Sequence, residues 1–295
     1  MRKKYKLSAE IDEYSHFHCI ANATRKHHQS DQVSFDDRDK DYLHSLLNRL
    51  EKLYAGIEVL QYVIMGTHVH FILAQNNKLD ISRKKVKELY EDFHNGLHEM
   101  DARSDDCFRY RLRLNDLSCF MRDFQWYSAT HFNAVRKIAG KHRFGSIWNP
   151  KFNCGLLEGG KAVRQCSLYV AMNPVRANLV IKAEVYKWSS WGERKLSGKD
   201  PHERALKKYF SRYNDGERTY NDMIEQFGEK IEILEVAHAV KKEKSALKYT
   251  KHERKYLKEN PIWHEKKFIG SKEFCQQMRG LSPPIESSGK LTNTG

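Results

Sequence analysis

The chain has 295 residues, a formal charge of +14, a pI near 9.4 and a mean hydropathy of −0.76. That length suits one good core with an appendage, and low hydropathy without a long apolar run excludes a membrane-spanning helix. The basic balance sets up a field that attracts polyanions, so nucleic acid is the expected partner class and a membrane is not.

In chain order, residues 14–23 (YSHFHCIANA) are apolar and aromatic and are expected to form a first strand. On it His16 and His18 share one face, and Phe17 and Cys19 the other. Asp36-Asp37 can cap a helix running to about residue 54, with Tyr42, Leu46, Leu50 and Leu53/Tyr54 as its apolar stripe. Gly56 ends it, and a strand pair follows at 57–62 and 63–74. Strand, helix and paired antiparallel strands open a ferredoxin- or RRM-like α+β layer, an antiparallel sheet with helices on one side. The polar stretch 75–112 is expected to hold one short helix and an irregular insert. Asp116 caps a helix carrying Leu117, Phe120, Met121, Phe124, Ser128 and Phe132, and the basic loop Lys141-His142-Arg143 leads into a strand at about 152–156. Residues 161–173 have helical spacing, with Val163, Cys166 and Val170 on one stripe, and Pro174 is expected to end that helix.

Two segments carry chemistry. In Val63-Ile64-Met65-Gly66-Thr67-His68-Val69-His70-Phe71, the histidines stand two apart on a strand and present two imidazoles to one side. Such a pair can hold a metal ion if a third ligand arrives from elsewhere. It can also be chance, since the chain has fifteen histidines and His16-Phe17-His18 is a second H-x-H. His16 and His18 fit better as sheet-face histidines near a nucleic-acid surface than as ligands. In Tyr169-Val170-Ala171-Met172-Asn173-Pro174, a phenol and a carboxamide stand four apart on a helix face beside its end. Separately they would be a core tyrosine and a capping asparagine; together they argue for a nucleophile and a ligand. Tyr127 is a rival nucleophile without a carboxamide four residues on, and packing or stacking on a base suits it better. Trp148 and Trp188 are expected in the core.

Six cysteines (Cys19, Cys107, Cys119, Cys154, Cys166, Cys275) show no C-x-x-C spacing, so neither a zinc ribbon nor a redox pair is implied. Reduced, buried thiols suit a cytoplasmic protein. The basic start Met1-Arg2-Lys3-Lys4-Tyr5-Lys6 has no apolar stretch behind it and is not expected to be a signal peptide. From about Leu196 the composition turns basic on helical patterns, expected to form a small unit with Leu234, Val236, Val240 and Leu247 as packing residues. Its lysines and arginines are either a solvated face or a DNA-binding appendage. Residues 281–295, with Pro283-Pro284 followed by Ser, Gly, Thr and Asn, are expected to be a disordered tail.

These two motifs resemble the HUH single-tyrosine transposases, specifically the REP-associated tyrosine transposases. That family reads V-M-x-N-H-x-H-x-L around its histidines and Y-I-x-x-N-P-V-R-A-x-L-V around its tyrosine. The matching stretches here are Val63–Leu73 and Tyr169–Val180. Further likenesses are Phe35-Asp36-Asp37-Arg38, Gly145-Ser146-Ile147-Trp148-Asn149-Pro150-Lys151-Phe152, Tyr186-Lys187-Trp188-Ser189-Ser190-Trp191-Gly192 and Ile269-Gly270-Ser271-Lys272-Glu273-Phe274. Gly66-Thr67 stands where the family has Pro/Ser-Asn, and Lys151 where arginine is common. The resemblance runs from about Ser15 to Phe274 and thins after 195. It implies an HUH nuclease domain over 1–195, a basic helical region over 196–280 and the tail over 281–295.

The resemblance further implies a 5′-phosphotyrosine bond to Tyr169 and a free 3′-hydroxyl on single-stranded or hairpin DNA. The ligands would be His68, His70 and Asn173, a neutral set that suits Mg²⁺ or Mn²⁺ shared with phosphate oxygens. Arg176, Lys151, Arg143 and Lys141 are expected DNA contacts, and Arg176 can equally pair with an acidic neighbour. A monomer or a homodimer is expected. Two other classes stay open: a catalytically silent DNA- or RNA-binding protein of the same fold, and a metal-dependent hydrolase that uses water as its nucleophile.

Overall fold

Strand β1 (Tyr14–Asn22) lies at the centre of the sheet, between β3 (His68–Asn76) and β6 (Asn153–Leu157), both antiparallel to it. Strand β2 (Ile57–Ile64) pairs antiparallel with the outer side of β3, and the two-residue β7 (Phe268–Ile269) runs parallel to β6. The order is therefore β2-β3-β1-β6-β7, and a separate hairpin joins β4 (Lys137–Ile138) to β5 (Lys141–His142). The protein is described by a computed structural model over residues 13–24, 33–135, 137–138, 141–142, 145–213, 219–243 and 268–281. Arg143, Leu247 and nearly all of the expected tail lie outside the described residues, and so does the side chain of Lys141.

Residues directly opposite each other on paired strands share a face, so the register divides the sheet. Phe17, Cys19 and Ala21 face the same way as Leu73, Phe71 and Val69. Against that face lie α1 (Asp37–Leu53) and α4 (Leu117–Val135), where Phe71 meets Phe124 at 5.1 Å and Phe120 at 6.4 Å between ring centroids. Helix α1 begins with a capping box: the Asp36 carboxylate accepts from the Asp39 amide, and Asp39 returns the bond to the Asp36 amide, each at 2.9 Å. Its stripe buries Leu43, Leu46, Leu47, Leu50 and Leu53; each such leucine stabilises by about 1.5–3 kcal/mol. These helices are the expected layer. A second set, α5 (Lys161–Ala171) and α8 (Glu203–Tyr213), covers part of the other, histidine-bearing face.

Three expectations change. The strand break is not between Tyr62 and Val63 but at Met65-Gly66-Thr67, closed by the Met65 amide donating to the His68 carbonyl at 2.8 Å, so His68 is the first residue of β3. The stretch 75–112 holds two helices, α2 (Arg83–Phe93) and α3 (Asp105–Arg113), because Ser82 and Ser104 each supply a side-chain cap and Val86, Phe93 and Cys107 supply buried contacts. Pro174 does not simply end a helix. Helix α5 stops at Ala171, and Pro174 sits in the first turn of a short α6 (Asn173–Arg176), where its missing N–H costs nothing.

The composition boundary at 195 falls inside α7 (Ser190–Ser197), and Ala205, Tyr209 and Ile269 from beyond it are buried in the main core. A second cluster joins Ala171, Met172 and Val175 to Trp191 and to Ile231 of α9 (Tyr220–Glu243), with Phe227 and Leu234 packed on it. Val236, expected to pack, is 63% exposed. After β7, Ser271 opens α10 (Lys272–Leu281), its hydroxyl accepting from the Phe274 amide at 3.1 Å. No described helix is long and apolar enough to cross a membrane. Trp148 and Trp188 are buried, as expected, and their indole N–H groups donate to Ser128 and Asp41 at 2.9 and 2.7 Å.

Candidate active site

His70 and His68 occupy the face of β3 opposite Phe71, and α5 crosses that face. The α5 stripe Val163, Cys166 and Val170 is buried against the sheet, which leaves Tyr169, one position off it, half-buried over the histidines. The His68 and His70 ring centroids are 5.0 Å apart, and that of Tyr169 is 5.8 Å from His70, edge to face. The structure thus brings together the phenol and the imidazole pair singled out in the sequence.

The remaining expected residues fall into two groups. Asn173 is buried, and its amide nitrogen donates to the Tyr169 carbonyl at 3.2 Å, which ties α6 to the end of α5. It therefore caps as well as being available for ligation, and only its oxygen end suits a cation. Arg176 carries its guanidinium over the Tyr169 ring, 4.8 Å from the centroid, a cation–π placement the sequence did not suggest. Lys151 is exposed on the segment entering β6, whose Asn153 pairs with Ile20, the residue opposite His70. It stands at the same end of the sheet, outside the ring cluster.

Burial pushes the Tyr169 phenol above its ordinary value; the Arg176 guanidinium pulls it back, and Cys166 adds a smaller upward push. Burial also lowers the His68 pKa, keeping it neutral and a better ligand. Tyr127 projects from α4, on the other side of the sheet, and packs on Phe93 at 5.2 Å.

Two residues that the sequence reading assigned elsewhere, His18 to a nucleic-acid-facing sheet surface and Thr67 to a departure from the family motif, stand beside the histidines. His18 is 1% exposed, and its Nε2 lies 3.0 Å from the His70 Nδ1 with the rings nearly parallel. Its ring also meets Tyr169 edge-on at 6.0 Å. The Thr67 hydroxyl lies 3.1 Å from the His68 Nδ1. Both imidazoles are thus in contact at Nδ1, His70 with His18 and His68 with Thr67.

Among the described residues, no group of three His, Cys, Asp or Glu forms a metal cluster. Any cation here would rest on a mixed set, the imidazoles of His68 and His70 and the Asn173 oxygen. Such a neutral set fits a hard divalent ion that keeps water and phosphate oxygens as its other ligands.

No family model matches the chain, and no curated protein matches it. Among solved structures, that of a REP-associated tyrosine transposase bound to a REP hairpin aligns with a TM-score of 0.33 and 14% identity, covering 62% of this chain and 81% of that one. The α+β architecture stands on the strand register alone.

Proposed function

We propose that this chain is a metal-dependent DNA strand transferase and nuclease of the single-tyrosine kind. It would cut and rejoin single-stranded DNA at hairpin-forming repeats, in the cytoplasm, as a monomer or homodimer. The observation that carries the reading is the meeting of Tyr169 with the His68/His70 pair on one sheet face, with ring centroids 5.8 and 5.0 Å apart along the row. The net charge of +14 supports a nucleic-acid partner.

The Tyr169 oxygen attacks the scissile phosphorus, a P–O bond forms to the phenol, and the bond to the 3′-oxygen breaks, leaving a 5′-phosphotyrosine. The phenol loses its proton to solvent as it attacks, and the departing 3′-oxygen takes one up. Attack by that 3′-hydroxyl reverses the step and rejoins the strand. Arg176 eases loss of the phenol proton through its charge above the ring. His68, His70 and the Asn173 oxygen would hold Mg²⁺ or Mn²⁺, which when bound neutralises charge at the phosphate. Arg176, Lys151, Lys141 and Arg143 would contact the DNA backbone, contributing affinity without sequence preference.

The test is capture of a protein–oligonucleotide adduct on a denaturing gel with a single-stranded hairpin substrate and Mn²⁺. Wild type and Tyr127→Phe should form it, and Tyr169→Phe should not, with folding and DNA affinity unchanged. Cleavage without an adduct would assign the attack to water, and binding without cleavage would leave a silent DNA-binding fold.

A further inference from the structure

We infer that Asn22 and Asn153 carry the DNA strand across the sheet beside the histidine pair, each donating from its carboxamide to a phosphate oxygen. The inference deepens the proposed function and rests on it, and neither asparagine belongs to the two motifs.

The placement comes from the register. Asn22 ends β1 directly opposite His68, so the two side chains share a face, with Cβ atoms about 5 Å apart. One row along, His70 is opposite Ile20 and Ile20 is opposite Asn153. That puts Asn153 on the same face two strands over, about 10 Å from His70. Along β1 this face runs His16, His18, Ile20 and Asn22. The first three are buried and Asn22 is half-buried, so the face turns polar where it reaches the histidine pair. Asn153 is exposed. Among the described residues, none hydrogen-bonds either carboxamide, which leaves their N–H groups to a ligand.

Helix α5 packs over β2 and β3, so it flanks the histidines on one side and the asparagines flank them on the other, along β1 and β6. A strand bound between Tyr169 and the histidines and continuing toward β6 crosses Asn22 first and Asn153 next. Lys151 stands at the end of this path. The Asn149 amide donates to the Asn22 carbonyl at 2.8 Å, which holds the segment carrying the exposed Lys151 against the end of β1. The two kinds of donor act differently on a polyanion. A lysine that neutralises a phosphate releases a counterion, whereas a neutral carboxamide adds a hydrogen bond to a charged group and releases none.

The experiment measures affinity for short single-stranded oligonucleotides by fluorescence anisotropy over a range of salt concentrations. It uses the full chain carrying Tyr169→Phe, so that no adduct forms. Asn22→Ala and Asn153→Ala should each weaken binding roughly tenfold, with the salt slope unchanged and to the same degree on oligothymidine and on mixed sequences. Lys151→Gln should weaken binding and make the slope shallower by about 0.7. Asn221→Ala, exposed on α9, should bind like the parent. Asn153 is exposed, so its variant keeps the fold and tests the inference even where Asn22→Ala does not. Folded variants of both asparagines that bind like the parent would overturn the inference and leave the proposed function standing. A loss confined to one base would assign base reading and overturn the backbone contact. A parent without affinity for single strands would overturn the nucleic-acid partner and this inference together, whereas binding without an adduct from the tyrosine-bearing chain would remove the chemistry alone.

Discussion

The chain carries two H-x-H strands side by side, and their surroundings differ. On β3, His68 and His70 lie at the start of the strand beside Tyr169. On β1, the pair is split: His18 reaches the β3 pair, whereas His16 sits two residues further from it. His16 is buried against two tyrosines of α8, Tyr209 and Tyr213, each with a ring-centroid distance of 5.3 Å. All four histidines share one face of one sheet. What separates the packed pair from the pair proposed for chemistry is which helix crosses above: α5 with its tyrosine over one end, α8 with its aromatic pair over the other.

The comparison breaks most severely if α8 and α9 are removed. A chain ending near Leu196 takes the partners of His16 away and uncovers Met172 and Val175, which pack in one cluster with Ile231. It should be recovered as aggregate although it retains the histidine and tyrosine motifs. A soluble fragment that still forms the tyrosyl–DNA adduct would show instead that this region is a separable appendage.

The next largest effect is at the proposed ligand pair. His68→Ala or His70→Ala should cut Mn²⁺-dependent cleavage by on the order of a hundredfold or more, since charge neutralisation at the phosphate is worth several kcal/mol. A chelator should do the same to wild type, and full cleavage in chelator would remove metal from the mechanism. Asn173→Ala should be milder than either, because water can replace a neutral oxygen ligand. The helix corner it caps should loosen, visible as faster amide exchange at residues 171–176.

The smallest effect on cleavage, and the sharpest contrast, is at His16. His16→Ala should lower stability by roughly 2 kcal/mol through lost packing and edge-to-face contacts, read as a shift in the urea midpoint, with cleavage retained. His16→Phe should restore stability, whereas His70→Phe should keep the fold without restoring cleavage. Equal behaviour of the two phenylalanine variants would erase the distinction between the strands.

Much of this was legible in the residues. Apolar, β-branched and aromatic composition marked β1 and β3, and carboxylates marked the starts of α1 and α4, because these signals are local. One of the two helices in 75–112 was missed because each carries few buried residues, so their serine caps stood out little from a polar background. The turn at Gly66-Thr67 was misplaced because Val63 and Ile64 are as strand-like as the residues before them.

What the sequence determined by itself is the inventory: an α+β layer, two imidazoles on one strand face, and a phenol and a carboxamide four residues apart. These follow from backbone periodicity, which depends only on neighbours along the chain. Only the tertiary structure decided which histidine serves which neighbour. A shift of one residue in the β1–β3 register would turn His18 to the opposite face, and the register is fixed by long-range pairing and core packing that no local pattern encodes. The same holds for α9, whose exposed Val236 and buried Ile231 share a helix, and whose Ile231 clusters with Met172 and Val175 at the Tyr169–Asn173 corner, far off along the chain.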